Sequence, residues 1–308
     1  MTRVVYPTAR LSANGAAALL DTVDHGLRVC DLPSSAVRWD LGEDQDITLP
    51  SLSASGNAVA WVAESGQVTI LTDAGQTHLD LPAPRDCVRA VAVSDTGDRV
   101  AVLIAADAED GTDGSLLVMG NGDVAKTEIP VHDNGFILAN DDCSLLAVRS
   151  SSTIDEQRYS GAFVRNGDAF RPLWKEETVS QPHGVLALYG DWFVAATADG
   201  VAGWRRTGEQ TTISGTMRER LIFAPDGSHL LAYRASEVIE VTSARMLFRL
   251  IELISHTEVR RTSHLIEDRG GAQFVVDGEL DLFEVRATRA GELAVKELGW
   301  RDGTAASA

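Results

Sequence analysis

The chain has 308 residues, 44% of them hydrophobic, and 45 acidic side chains against 27 basic ones give a formal net charge of −18. A chain of this length can bury a large core without disulfides or structural metals, and so acidic a chain repels phosphate backbones and anionic lipid, which argues against nucleic acid and membrane surfaces as partners. No apolar run approaches the roughly 20 residues that a membrane-spanning helix requires.

From the N-terminus, MTRVVYPTARLSANG has no charged segment leading into an apolar stretch, so no secretory leader is expected. Cys30, Cys87 and Cys143 are odd in number and far apart, which fits a reducing cytoplasm better than a disulfide framework or a zinc site. Internal repeats dominate the chain from Arg10 onward. Seven segments share a short β-like run, a small-polar turn and a second β-like run. They are RLSANGAAALL from Arg10, SLSASGNAVAWV from Ser51, VAVSDTGDRVAVL from Val91, FILANDDCSLLAV from Phe136, VLALYGDWFVAAT from Val185, LIFAPDGSHLLAY from Leu221 and HLIEDRGGAQFVV from His264. Their turn residues Gly15, Gly56, Gly97, Asp142, Gly190, Gly227 and Gly270 are spaced 41, 41, 45, 48, 37 and 43 residues apart by subtraction. Glycine and aspartate tolerate the positive φ that tight hairpins need.

A third run follows each pair, entered at Gly26, Gly66, Gly114, Gly161, Gly200 and Gly278, with Ser236-Glu237 in the sixth repeat. Most repeats add a fourth run, such as AVRWDL, THLDLP or LAVKEL. Four strands in about 43 residues is the length of a propeller blade. The reading is therefore all-β: a seven-bladed β-propeller with four antiparallel strands per blade, residues 1–300 forming one domain and 301–308 a disordered tail. The innermost strands are expected at Val4–Tyr6, Leu49–Ser53, Ala90–Ser94, Phe136–Ala139, Val185–Tyr189, Leu221–Ala224 and Ser263–Ile266. The apolar segment Ser243–Ile254 is expected as the fourth strand of blade six. The ring is expected to close without strand exchange, Arg3–Pro7 being innermost in blade one and Leu293–Glu297 outermost in blade seven.

The segment from Leu221 to Ser243, LIFAPDGSHLLAYRASEVIEVTS, resembles the heart of a WD-repeat propeller blade, and the resemblance extends weakly over nearly the whole chain. It implies the fold. No blade opens on Gly-His, and Asp31 and Trp39-Asp40 are the nearest echoes of the terminal Trp-Asp pair, so that family's His–Ser/Thr–Asp–Trp network is expected to be largely missing.

Catalytic signatures do not stand out. His25, His78, His132, His183, His229, His256 and His264 form no His-x-x-x-His or Glu-x-x-His pattern, and most flank turns. Gly-x-Ser-x-Gly and Gly-x-x-x-x-Gly-Lys are absent from the sequence. The acidic stretch AADAEDGTDG puts alanine at two of the three alternate positions where a calcium loop needs oxygen ligands. No metal or cofactor is expected. The leading function is a non-catalytic protein-interaction platform, or a regulatory subunit of a cytoplasmic, bacterial complex. The alternative is a hydrolase of the lactonase-propeller type with its site at the central channel.

For the platform reading, two long connections are expected side by side on one face. Ala105–Gly114 in blade three brings Asp107, Glu109, Asp110 and Asp113; Ser150–Gly161 in blade four brings Asp155, Glu156, Arg158 and Tyr159. Long loops on a rigid scaffold cost little closure entropy and commonly carry binding. The partner is expected to be another protein with a basic surface. Trp204, Arg205 and Arg206 form a second candidate, because interfaces favour tryptophan and arginine.

Overall fold

The computed structural model describes residues 8–22, 26–42, 47–107, 113–120, 122–152, 157–179, 186–197, 200–213, 220–236, 244–266 and 272–300. Seven antiparallel sheets follow one another along the chain, each built from consecutive strands. The first comprises β1 Thr8–Leu11, β2 Ala17–Thr22, β3 Gly26–Asp31 and β4 Val37–Asp40; the second, β5 Thr48–Leu52, β6 Ala58–Val62, β7 Gln67–Thr72 and β8 Gly75–Asp80. The third holds β9 Val88–Val93, β10 Val100–Ala105, β11 Asp113–Gly120 and β12 Asp123–Pro130; the fourth, β13 Asn134–Ala139, β14 Leu145–Ser151, β15 Gln157–Asn166 and β16 Ala169–Val179. The fifth holds β17 Leu186–Tyr189, β18 Trp192–Thr197, β19 Gly200–Arg205 and β20 Gln210–Ile213; the sixth, β21 Arg220–Phe223, β22 His229–Ser236, β23 Ala244–Glu252 and β24 Thr257–Ile266. The seventh comprises β25 Gln273–Val276, β26 Leu282–Ala287 and β27 Leu293–Glu297, three strands among the described residues. A single 3-10 turn, Arg85–Cys87, is the only helical element among the described residues. The fold is an all-β, seven-bladed β-propeller.

The repeated small-polar turns fix the first hairpin of most blades. In blade one the Ser12 N–H donates to the Ala17 carbonyl, Gly15 N–H donates back to Ser12, and the Ser12 hydroxyl accepts from Ala17 N–H. Ser53 and Ser94 repeat this arrangement, with Ser53 Oγ accepting from Ala58 N–H at 3.0 Å and Ser94 Oγ from Arg99 N–H at 3.0 Å. In blade four Asn140 takes the serine's place, and Leu145 N–H donates to its Oδ1 at 2.9 Å. Gly15, Gly56 and Gly97 adopt the left-handed φ that this closure demands, at 68°, 80° and 72°. Blade four differs from expectation by one residue: the left-handed position is Cys143, at φ 56°, and not Asp142. Cys143 is buried there, and burial raises its thiol pKa far above the ordinary value.

The chain packs as two compact units, one of Gln45–Ala195 with Ala202–Thr212, the other of Met1–Asp44, Ala196–Val201 and Ile213–Ala308. In the first, the sheets alternate faces between successive core layers. Ala60, Val68, Val91, Val100 and Val102 form one layer. Leu103, Leu116, Ile137, Leu146, Val148, Tyr159 and Phe163 form the next, between blades three and four. Leu145, Ala147, Leu188, Phe193 and Trp204 form a third, between blades four and five. Gly135 has a steric reason: a Cβ there would stand 2.6 Å from Arg89 Cβ. In the second unit, Tyr233, Phe248 and Phe274 meet edge-on or tilted, with centroids 5.0 Å apart for Tyr233–Phe274 and 4.8 Å for Phe248–Phe274.

The strand phase changes in blade six. The segment expected as its fourth strand contains β23, which is the third and pairs on both sides, with β22 and with β24. Phe248 and Leu250, fully buried on β23, require that interior place. Ser263–Ile266, expected to open blade seven, ends β24 instead, and blade seven opens on β25. Blade one opens on Thr8–Leu11; the expected strand Val4–Tyr6, and with it the question of strand exchange at closure, lies outside the described residues, as does the tail 301–308.

Candidate partner-binding site

In each four-stranded sheet the first–second and third–fourth connections leave at one end and the second–third connection at the other. We call these the turn end and the loop end. Blades three and four share a core layer, and their second–third connections run over 106–112 and 152–156.

In blade three, Ala106 N–H donates to the Asp113 carbonyl at 2.8 Å and closes the base of the connection. Asp107 and Asp113 are exposed, and Arg89 Nη2 donates to the Asp107 carbonyl at 3.4 Å. Glu109 and Asp110 lie outside the described residues, as do Asp155 and Glu156. In blade four most of the expected insertion Ser150–Gly161 is strand: β14 runs to Ser151, β15 starts at Gln157, and Ser152 N–H donates to the Gln157 carbonyl at 2.9 Å. Strand alternation then separates the two expected anchors. Arg158 is half-buried on the face of blade four that carries Ala147 and Ala162, whereas Tyr159 points the other way and is 1% exposed in the layer shared with blade three. Tyr159 is a core residue.

The face bearing Arg158 holds residues that reading for loops overlooks. Register sets Phe136 opposite Arg149 and Arg149 opposite Ser160; one row further out it sets Asn134 opposite Ser151 and Ser151 opposite Arg158. Phe136 is 40% exposed, and the Arg149 guanidinium stands over its ring at 5.6 Å from the centroid. Burial, then the charge of Arg158, lowers the Arg149 pKa. The signal in the sequence is the arginine that interrupts the apolar run LLAVRSS.

Trp204, Arg205 and Arg206 sit at the opposite, turn end. Trp204 is 6% exposed and packs against Phe193 at 5.3 Å and Trp174 at 6.0 Å between ring centroids, so it offers no surface. Arg205 covers the Trp192 ring at 4.8 Å and pairs with Glu209 at 3.5 Å. Arg206 is committed to Asp191 at 3.0 Å, Asp142 at 3.9 Å and the Ser144 hydroxyl at 2.9 Å. Neighbouring blades are tied together at this end. Ser55 N–H donates to Asp95 Oδ1 at 2.9 Å, Asp95 N–H to the Asp141 carbonyl at 2.8 Å, and Asn140 Nδ2 to the Gly190 carbonyl at 3.1 Å. Burial, followed by Asp142, raises the Asp141 pKa. Burial also pushes Asp142 upward, but hydrogen bonds from Ser144 and Asn140 and the Arg206 charge outweigh it and hold Asp142 low.

The arrangement nearest to a nucleophile–base pair is Ser228–His229–Asp226. The Ser228 hydroxyl lies 2.7 Å and the Asp226 carboxylate 2.9 Å from the same ring nitrogen, His229 Nδ1. A catalytic relay needs serine and carboxylate on different nitrogens, so this is a turn cap. Among the described residues no group of three or more His, Cys, Asp or Glu is placed to hold a metal ion.

No family model matches the sequence, and no curated protein does. Among solved structures the chain is similar to the β-propeller domain of Cps50 (Swd1) from Myceliophteria thermophila, at 13% identity and a TM-score of 0.51 over 97% of this chain and 100% of that one. At that identity the likeness shows the fold alone, and it agrees with the seven sheets in being a β-propeller.

Proposed function

We propose that this chain is a non-catalytic protein-interaction platform, a regulatory subunit of a cytoplasmic assembly whose partner engages the loop end of blades three and four. The observation that carries the reading is the placement of two connections, 106–112 and 152–156, on adjacent blades that share one core layer. A rigid β scaffold with connections of unequal length suits recognition, since loops vary without cost to the core. Asp107 and Asp113 are exposed there and suit a basic partner surface, in a contact that salt weakens.

Affinity purification with the full-length chain as bait, run beside a variant with both connections cut to two-residue turns, tests this. A protein recovered by the first bait, released by salt and missing from the second supports the platform. Equal recovery by both baits refutes the assignment of the surface.

A further inference from the structure

Asparagine followed by glycine is a labile pair, because a residue without a side chain leaves its backbone nitrogen free to approach the asparagine amide. The sequence has four such pairs: Asn14-Gly15, Asn121-Gly122, Asn134-Gly135 and Asn166-Gly167. Asn121 lies outside the described residues, and the fold treats the other three differently. Asn14 is buried, its side-chain oxygen accepts from the Ser12 hydroxyl and the Ala16 N–H, both at 3.0 Å, and Gly15 lies against Val275. Asn134 opens β13, and Gly135 is wedged against Arg89 and Leu103 of blade three. Asn166 and Gly167 instead stand exposed at the tip of the β15–β16 hairpin, whose closing pair is Asn166–Ala169. Neither the Asn166 side-chain amide nor the Gly167 N–H makes a hydrogen bond among the described residues, and the space about Gly167 is open. The same tip clamps blade four to blade three. Lys126 N–H on β12 donates to the Asp168 carbonyl at 3.2 Å, Arg165 Nη2 pairs with Asp123 at 3.6 Å, and Arg165 Nε donates to the Gly167 carbonyl at 2.9 Å.

We propose that Asn166 is a self-modification site, and that its conversion loosens the clamp between blades three and four. The Gly167 nitrogen gives up its proton and attacks Cγ of Asn166. The N–Cγ bond forms, the Cγ–Nδ2 bond breaks, and the amide nitrogen leaves as ammonia, carrying that proton. Water then opens the cyclic imide at either carbonyl, leaving an aspartate or an isoaspartate, whose main chain runs through the side-chain carbons. Water is the only co-reactant. A hairpin tip opens locally at little cost, so the rotation that brings nitrogen and carbonyl together is available there. It is denied at Gly135 and Gly15, whose backbones are pinned by packing. Isoaspartate lengthens the main chain by one methylene within a two-residue turn, which moves the Asp168 carbonyl off Lys126 N–H. Either product adds a negative charge to a tip that already holds Asp123 and Asp168, both exposed.

The test holds the full-length folded chain, and beside it a proteolytic digest of the same chain, at neutral pH and body temperature for some weeks. Peptide mapping by mass spectrometry, with fragmentation that separates isoaspartate from aspartate, reads each asparagine. In the digest all three pairs should convert at similar rates. In the folded chain Asn166 should keep its digest rate to within severalfold, while Asn14 and Asn134 slow by about tenfold or more. The acquired mass should be absent from the same peptide of Asn166→Gln. Hydrogen exchange of the Lys126 amide should be faster in the converted fraction, isolated by its extra charge, than in the unconverted one. Slowing of Asn166 in the fold as great as that of Asn134, a mass gain that survives in Asn166→Gln, or unchanged exchange at Lys126 would each overturn the proposal.

Discussion

The two ends of blade four solve opposite problems with similar raw material. At the turn end, acidic side chains are crowded together, yet nearly every polar group is engaged: Asp142 by Ser144 and Arg206, Asn140 by Leu145, Ser144 and Gly190, Asp191 by Arg206. At the loop end, the Arg149 guanidinium stands over the Phe136 ring, and burial, then the charge of Arg158, lowers its pKa. The turn end thus spends its polarity on holding neighbouring blades in register, and at the loop end Arg149 lays its charge over a ring.

The largest effect that sharpens this contrast comes from the core beneath the turn end. Trp204→Ala removes the ring packed between Phe193 and Trp174 and should cost about 3–5 kcal/mol by chemical denaturation. A cost below about 1 kcal/mol would return Trp204 to the surface. Next comes the latch. Asn140→Ala strands the buried Leu145 N–H, leaves the Gly190 carbonyl without its donor and should cost about 2–3 kcal/mol. Asn140→Ser, the residue found in the equivalent turns at Ser12, Ser53 and Ser94, should regain the Leu145 acceptor but not the Gly190 link, leaving about 1 kcal/mol of loss. At the other end, Arg149→Met should change stability by less than about 0.5 kcal/mol. If the two ends responded alike, the division between latch and working surface would fail. Arg206→Met falls between: it breaks contacts to Asp191 and Asp142, but the guanidinium is well exposed, so about 1 kcal/mol or less is expected.

The blade count and the first hairpins are legible in the sequence because they rest on local chemistry: a serine or asparagine acceptor, a left-handed position three residues on, and apolar runs to either side. The outer strands are not. β8 is almost wholly exposed along GQTHLD and β24 begins TEVRR, so neither shows the apolar alternation by which a strand is recognised. With β24 silent in this way, the expected strand phase slips in blades six and seven. The site is obscured by the same effect. Polar letters in QRYSG suggest a loop, but pairing with β14 and β16 makes them strand, burying Tyr159 and turning Arg158 toward Arg149. The pairing of Phe136 with Arg149 depends on register between β13 and β14, which a one-residue slip would abolish.

The smallest effect concerns charge at the turn end. Asp141 is exposed, but its pKa is raised, first by partial burial and then by Asp142 and, more weakly, Asp95 and Asp191. The folded chain therefore holds the Asp141 proton more tightly than the unfolded one. Stability then falls as pH rises from the ordinary aspartate value, about 3.9, through the raised folded value. Asp141→Asn keeps the carbonyl that receives Asp95 N–H and removes the repelled charge. It should stabilise by a few tenths of a kcal/mol at pH 7, little because solvent screens an exposed group. The gain should vanish near pH 3, where Asp141 is protonated in both states. Asp98, held low by its hydrogen bonds, loses its contribution as pH falls through its folded value, but it does so equally in both proteins and cancels from the difference. Paired urea titrations at pH 3 and pH 7 read that difference directly. A gain that persists at pH 3 would mean that the asparagine acts through shape or new hydrogen bonds, and that the crowded carboxylates of the turn end are not in tension at all.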